Sequence, residues 1–364
     1  MYLQRVIYQM QQQIENLLPC FHRSERRNLA LMVVGMVYAR SVNLPQIASF
    51  APVAETQLEA RVQRFERVLN CPKLVPLTVL KPVAEKLLTS LSARQPKGLM
   101  ILMDRSMIND GLNLLWVAVA FGGRALPLGW VEVPHEGNSD LALQQELLSW
   151  LSECLPEGTS ATIVADREFH SIHLARWIAE RLQLKYVLRI KAGTCIEFDG
   201  QTLKAGELAI EGESLQVAQV KVTRAATNEY RTNLSVHWAS GETEAWILAT
   251  NLELSESLAT YRQRFWIEEM FSDQKSRGLN LEQTRLKQAN RVQRLLVAVT
   301  LAYLWLMEIG SSVLAAGEVK KVDNRGLKRS VSLCQVGFRW LRRLLGEEVL
   351  PPILTINFSN LGKT

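Results

Sequence analysis

The chain has few residues of the kind that build zinc sites or disulfide frameworks. Its 364 residues include five cysteines and five histidines. The cysteines are scattered along the chain and form no CxxC pair. This distribution argues against a zinc site and against a disulfide framework, and it fits a reducing cytoplasm.

The sequence also lacks the features of a secreted, membrane or disordered protein. The N-terminal residues do not have the layout of a signal peptide. The longest apolar run, Leu295 to Met307, is too short to cross a bilayer and predicts a buried helix. No internal repeat or low-complexity tract is present, and 48% hydrophobic with 21% charged residues is typical of a globular protein.

Charge is distributed unevenly. Residues 1–95 carry a net charge of +6, residues 96–284 carry −8, and residues 285–343 carry +9. Two basic flanks around an acidic centre suit a protein that holds a polyanion at its sides while carboxylates bind metal between them. Basic surfaces that only aid solubility are common, but segregation this strong favours a nucleic-acid partner.

Residues 1–95 read as a series of short helices separated by prolines. With Arg40, Arg61, Arg64 and Arg67, they suit a helical module that binds DNA ends. No helix-turn-helix motif can be located, and a plain helical packing domain fits equally well.

The pattern changes after residue 95. Two apolar runs end in a carboxylate, one at Asp104 and one at Asp166, and each predicts a β-strand. Strands are also predicted over Leu112–Phe121 and Arg124–Val133, and glycine-punctuated alternation over residues 193–243 predicts a β-rich insertion. If the two acid-ended strands are parallel neighbours, Asp104 and Asp166 meet at one sheet edge. Each aspartate alone could equally cap a turn.

The stretch from Tyr261 to Lys275 predicts an amphipathic helix. In an ideal helix Tyr261, Arg264, Glu268 and Lys275 fall within roughly 60° of one another, in a row ~21 Å long. Glu269 points roughly 100° away from Glu268 and is assigned to surface or packing. A carboxylate flanked by two cations and a phenol can hold a metal ion and a polyanion, although a solvated charged face is the commoner use of such a helix.

Asp104, Asp166 and Glu268 together form a candidate catalytic and metal site. Hydrolysis of a phosphodiester by two metal ions needs carboxylates that hold the ions ~3.5–4 Å apart. Carboxylate oxygens are preferred by Mg²⁺, and Mn²⁺ accepts the same set. All three acids beside a cationic face make separate structural roles a poor explanation.

On these residues the sequence resembles DDE transposases of bacterial insertion sequences, in the insertion-sequence-four group. The signature of that group is Tyr, two residues, Arg, three residues, Glu, six residues, Lys, and it is complete at Tyr261, Arg264, Glu268 and Lys275. The resemblance covers about residues 96–310. Trp246 and the residues after it resemble a segment whose tryptophan stacks on a flipped base, although a core role for Trp246 remains a serious alternative.

The resemblance implies an α/β fold with an RNase H-like catalytic core that a β-rich insertion interrupts. The expected layout is an N-terminal helical domain at 1–95, a core at 96–192 and 244–316, the insertion at 193–243, and a basic helical C-terminal region at 317–364. It further implies cut-and-paste transposition through a DNA hairpin, two Mg²⁺ ions, and a homodimer bound to element ends and target DNA. A cytoplasmic bacterial location near the nucleoid follows.

In the same family pattern Tyr261, Arg264 and Lys275 would hold terminal phosphates, arginine in bidentate fashion and lysine as a point charge. Two other functions stay open. The chain could be a catalytically silent DNA-binding derivative, although such a protein gains nothing from carboxylates beside phosphates. It could also be another RNase H-fold nuclease, which would share the acids but not the Tyr–Arg–Lys face.

Overall fold

The computed structural model describes residues 2–51, 57–95, 97–108, 111–222, 230–326 and 331–358. Lys328 and Arg329, which contribute to the predicted basic tail, lie outside these residues. The fold is mixed α/β, as predicted, with one large sheet and helices packed against it.

The N-terminal region is helical. Its five helices are α1 (Tyr2–Leu17), α2 (Arg23–Ala39), α3 (Leu44–Ser49), α4 (Leu58–Leu69) and α5 (Pro76–Ser92). Proline at the start of α5 suits the first helical turn, where a missing N–H costs nothing. At the start of α2 the Glu25 carboxylate accepts a hydrogen bond from the His22 N–H at 2.7 Å, which satisfies one of the free donors of that end.

Ten strands form a single sheet. The first five are β1 (Leu99–Ile108), β2 (Leu112–Phe121), β3 (Arg124–Glu132), β4 (Ala161–Ala165) and β5 (Lys185–Arg189). The other five are β6 (Cys195–Phe198), β7 (Gln201–Lys204), β8 (Ser214–Val222), β9 (Tyr230–His237) and β10 (Trp246–Thr250). The spatial order is β3-β2-β1-β4-β5-β10-β9-β8-β6-β7. Among the strand pairs of the described residues, only β1–β4 and β4–β5 are parallel.

The predicted insertion is rich in strands, and these strands extend the main sheet. β10 pairs with β5 on one side and with β9 on the other, both antiparallel. Hydrogen bonds therefore run without interruption from residues 193–243 into the strands that carry the two aspartates.

The described part of the chain has six further α-helices. They are α6 (Leu141–Cys154), α7 (Ile172–Glu180), α8 (Leu254–Arg262), α9 (Phe265–Lys275), α10 (Ala289–Ala315) and α11 (Leu333–Gly346). Helix α10 is long and apolar enough to span a membrane by length and composition, but 94% of that window is buried inside the protein. It packs against α2, α4, α5, α11 and β3. The sequence prediction of a buried helix is confirmed, and the N-terminal helices share its core.

A buried carboxylate on α10 fixes residues 355–357. Glu308 accepts hydrogen bonds from the N–H groups of Thr355, Ile356 and Asn357 at 2.9 to 3.3 Å and from the Thr355 hydroxyl. Burial raises the pKa of Glu308, and these hydrogen bonds oppose the rise. The carboxylate is paired throughout, which identifies it as a structural group.

Candidate active site

Asp104 and Asp166 lie side by side because β1 and β4 are parallel neighbours. The pairing register joins Met103 to Ala165, so each aspartate is the next residue along its strand. Asp166 directly follows the end of β4, as predicted. β1 itself continues to Ile108, with Asp104 paired to β2, so Asp104 marks the end of the β1–β4 ladder and not the end of the strand.

Each aspartate is held by a nearby backbone N–H group. The Arg105 N–H donates to Asp104 Oδ1 at 2.8 Å, and the Glu168 N–H donates to Asp166 Oδ1 at 2.8 Å. These bonds fix the orientation of both carboxylates and leave the two Oδ2 atoms for other partners.

Arg264 joins Asp104 to Glu268. Its Nη1 donates to Asp104 Oδ2 at 3.2 Å, and its Nη2 donates to Glu268 Oε1. The Arg264 side chain is only 9% exposed, whereas that of Glu268 is 51% exposed. The third acid therefore stands at the solvent side of the site, and the arginine fills the space between it and Asp104.

The predicted single helix over Tyr261–Lys275 is wrong in one respect. Helix α8 ends at Arg262, and α9 begins at Phe265 after a turn at Gln263 and Arg264. Four N–H groups across this turn bond three residues back rather than four, and they belong to Gln263, Arg264, Trp266 and Ile267. This tighter 3₁₀-type winding changes the angular offsets, so the four signature residues do not form one exposed row.

Burial of these residues reflects the break. Tyr261 and Arg264 are buried, Glu268 is exposed and Lys275 is half-buried. Lys275 lies seven residues beyond Glu268, and its ammonium sits 5.9 Å from the centre of the Phe271 ring. Burial lowers the pKa of Lys275, and the charge of Glu282 opposes this.

The electrostatics of Asp104 report the proximity of the other acids. Burial raises the pKa of Asp104 to about 7; the positive charge of Arg264 opposes the rise, while the charges of Asp166 and Glu268 add to it. The pKa of Arg264 is in turn raised by Asp104, against the effect of burial. The three carboxylates therefore share one electrostatic environment, with one guanidinium as their counter-ion.

Within the described residues, no three acidic, histidine or cysteine side chains are close enough to hold a metal ion as they stand. The donor chemistry nonetheless fits a hard divalent cation, because the available ligands are carboxylate oxygens. A cation, the Arg264 guanidinium, already lies between two of them.

Trp246 belongs to an aromatic cluster next to Arg264. It opens β10, and its ring centre lies 5.1 Å from that of Tyr261 and 5.9 Å from that of Phe265. Trp246 is half-buried, whereas Phe265 is 39% exposed and lies 4.6 Å beneath the Arg264 guanidinium. Sequence reasoning missed Phe265, although its place directly after Arg264 could have signalled it.

Sequence reasoning also missed an ion pair that links the two aspartate strands. Arg105 Nε donates to both carboxylate oxygens of Glu168, at 2.8 and 3.1 Å. Glu168 also accepts from the N–H and hydroxyl of Ser139. Arg105 and Glu168 are the residues whose N–H groups hold Asp104 and Asp166, so one salt bridge connects both anchors. The position of Glu168 two residues after Asp166 was the available signal.

A second arginine network lies on the insertion side. Glu244 accepts from Arg167 at 2.6 Å and from Arg189 at 2.7 Å, and both arginines lower its pKa against the opposing effect of burial. Arg167 follows Asp166 directly, so this network ties the aspartate loop to the end of the β-rich insertion.

Comparison with known proteins supports one family. A comparison with curated proteins finds no match. Among solved structures, a piggyBac transposase synaptic complex with hairpin DNA aligns with a TM-score of 0.39 and 11% identity, over 96% of this chain and 83% of that chain. At that level the likeness adds nothing to the assignment.

The family assignment comes from the sequence profile of the transposase DDE domain, which matches residues 114–305, more than half of the chain. The matched segment contains Asp166 and Glu268 and begins ten residues after Asp104. The chain belongs to the DDE transposase family.

Proposed function

We propose that this chain is a cut-and-paste DNA transposase whose catalytic acids are Asp104, Asp166 and Glu268. The observation that carries the proposal is the convergence of the first two on adjacent parallel strands, with the third joined to Asp104 through Arg264. Placement beyond the carboxyl end of a parallel strand is where sites form in open sheets.

The finer assignment rests on the Tyr–Arg–Glu–Lys spacing. On this spacing we propose that the chain is a member of the insertion-sequence-four group, with an RNase H-like core at 96–192 and 244–316 and a DNA-end-binding helical domain at 1–95. The insertion at 193–243 and the basic region at 317–364 complete this layout. We further propose a homodimer on two element ends, in a bacterial cytoplasm.

DDE transposases generally use divalent metal ions. Asp104, Asp166 and Glu268 would hold two Mg²⁺ ions, or Mn²⁺ in their place, and the ions would supply activation of the attacking oxygen and stabilisation of the leaving oxygen. The chain's own residues would do the positioning. Arg105 and Glu168 orient the two aspartates through their N–H groups.

Arg264 and Lys275 are the proposed phosphate contacts. Arg264 has a buried Nε with no hydrogen-bond partner, and its two Nη atoms bind carboxylates that the metal ions would also need. We infer that Arg264 exchanges these carboxylates for a DNA phosphate, which it can bind in bidentate fashion. Tyr261 is buried against Trp246, so a phosphate contact from its hydroxyl requires rearrangement.

A hairpin intermediate would leave an unpaired base that can stack on an aromatic ring. Trp246 is the residue proposed from the sequence. Phe265 is the more exposed ring of the same cluster and stands nearer the surface beside Arg264. Either ring could stack on the unpaired base. Trp246→Ala and Phe265→Ala should show which one does, because loss of the stacking ring should lower the hairpin yield more.

The test uses purified protein, Mg²⁺, and linear DNA that carries the sequences flanking the coding gene. Asp104→Ala, Asp166→Ala and Glu268→Gln should each reduce strand cleavage at least about a thousandfold, as expected when a catalytic metal ligand is lost. Glu269→Gln is the matched control, because this neighbouring acid pairs with Arg124 and Arg277 instead.

Cleavage by all three variants at the parent rate would reject the site. DNA binding by the parent without any cleavage in Mg²⁺ or Mn²⁺ would favour a silent DNA-binding derivative. Cleavage without strand-transfer products would favour another nuclease of the same fold.

A further inference from the structure

A groove lies beside the candidate active site and encloses about 960 Å³. Its lining includes Met107 and Ile108 at the end of β1, Lys275 at the end of α9, and Arg285 and Lys287 in the connection to α10. None of these residues except Lys275 has a role in the proposed reaction.

The groove lies farther along β1, which carries Asp104, and farther along α9, which carries Glu268. Met107 lies three residues beyond Asp104, a distance of ~10 Å along a strand. Lys275 lies seven residues beyond Glu268, also ~10 Å along a helix. Ile108, four residues beyond Asp104, lies on the same face of β1 as Asp104, whereas Met107 points to the other face at the end of the strand. Since α9 packs against β1, the Ile108 and Lys275 side of the groove lies a few nucleotides from the acids at ~3.4 Å per nucleotide.

The charge of the groove suits a polyanion. Lys275, Arg285 and Lys287 contribute three cations, and Glu282 is the only acid among the described residues that line it. In the described chain, no carboxylate lies within ion-pair distance of any of the three cations. Arg285 and Lys287 are exposed, so their charges are available to an incoming phosphate chain.

Apart from Gly111 and Thr284, the rest of the described lining is apolar. Met107 is 42% exposed, and Ile108 and Leu286 also line the groove. A base-paired duplex would present mainly phosphates to this surface and leave the apolar residues wet. Unpaired bases have flat apolar faces that can cover them, and methionine adapts well to irregular contacts.

We propose that this groove binds a short single-stranded segment of DNA adjoining the scissile phosphate. Lys275, Arg285 and Lys287 hold its phosphates, and Met107 with its apolar neighbours contacts its bases. The inference rests on the proposed function, and it adds the form of the DNA that the site takes: a strand unpaired for several nucleotides next to the cleavage point.

The first test measures binding of a fluorescent single strand by anisotropy, without metal, over a series of salt concentrations. Arg285→Gln/Lys287→Gln should weaken binding about tenfold at low salt. It should also reduce the slope of log K against log salt by about 1.4, because each lost phosphate contact on a single strand contributes about 0.7. The matched control is Arg181→Gln/Lys185→Gln, which removes two exposed charges near the start of β5, at the sheet edge opposite the carboxyl ends of the parallel strands.

The second test examines the base contact. Met107→Ser should weaken binding of a normal strand at least about threefold, and it should leave unchanged the binding of a strand whose central nucleotides are abasic. Equal weakening on both strands would show that Met107 does not contact bases.

An unchanged affinity and salt slope in the Arg285/Lys287 variant, or an equal loss in the control, would overturn the groove proposal. Because these measurements omit metal, they do not depend on catalysis. If the parent cleaves DNA but the Arg285/Lys287 variant binds the single strand as the parent does, this inference alone is rejected. If the variant binds more weakly but the parent never cleaves, the proposed function is rejected.

Discussion

Helix α9 takes part in two groups of arginine and carboxylates, and they differ in how fully they are satisfied. At its start, Arg264 joins Asp104 to Glu268, and Glu268 is half exposed. Further along, Arg124 binds Asp273 at 3.0 Å. Asp273 is 1% exposed.

In the second group, both carboxylate oxygens of Asp273 have partners within the protein. Asp273 uses one oxygen for Arg124 and the other for the hydroxyl of Ser332, the residue that caps α11. Asp273 thereby connects β3, α9 and α11. The chain also passes close to Asp273 at Gly278, where a Cβ would lie 2.2 Å from the Asp273 carbonyl oxygen. In the first group a donor of Arg264 is left without a partner. The same residue types thus build a scaffold where every partner is internal, and the group that we propose as the site for external ligands where a donor has no partner.

The largest expected difference is in stability. Asp273→Ala should lower the free energy of unfolding by about 3 kcal/mol, because it leaves the half-buried Arg124 with the partly exposed Glu269 as its remaining carboxylate partner. Glu269→Gln, which removes the more exposed partner of the same arginine, should cost less than about 1 kcal/mol. Urea unfolding of the two variants measures both values, and equal effects would mean that burial does not distinguish the partners.

Asp104 should make the stability of the folded chain depend on pH. Its pKa is about 7 in the folded chain, against an ordinary value of 3.8. The folded state keeps this proton between about pH 4 and 7 while the unfolded state loses it, so the stability that the proton provides falls as pH rises through this window.

Without metal, the parent should therefore lose about 2–4 kcal/mol of unfolding free energy between pH 4 and pH 8, relative to Asp104→Asn. Other buried carboxyl groups cancel in this difference because both proteins contain them. Parallel stability curves for the two proteins would show that Asp104 ionises normally in the folded chain.

A smaller effect is expected when the salt bridge between Arg105 and Glu168 is weakened; the N–H groups of these two residues bind Asp104 and Asp166. Glu168→Gln should weaken the bond to Arg105 and reduce strand cleavage about tenfold to a hundredfold, because it loosens both aspartates without removing either. Rescue by Mn²⁺ or by higher Mg²⁺ concentration would identify a positioning role. A loss that no metal concentration restores, with the unfolding free energy reduced in proportion, would indicate a structural role alone.

The sequence predicted what depends on local patterns. β2 spans Leu112–Phe121 as expected from its apolar run, and Asp166 follows β4 because a buried strand ends where polarity returns. Asp104 and Asp166 could be paired in advance only by assuming parallel neighbours, and the sheet provides that pairing.

What the sequence did not reveal depends on contacts distant in the chain. The position of Arg264 follows from its attraction to Asp104, 160 residues away, and from a tight turn that an ideal helical repeat does not represent. Glu168 and Asp273 are charged residues in helical segments, which are usually solvated, and only tertiary packing buries them. The joining of the insertion to the main sheet required strand pairings that alternation alone does not specify.

That shared sheet has a mechanical consequence. Since β10 is bonded to β5 and to β9, the insertion strands β8 and β9 cannot move as a separate unit without breaking the sheet that also contains β4. The sheet therefore holds β9 at a fixed position relative to Asp166.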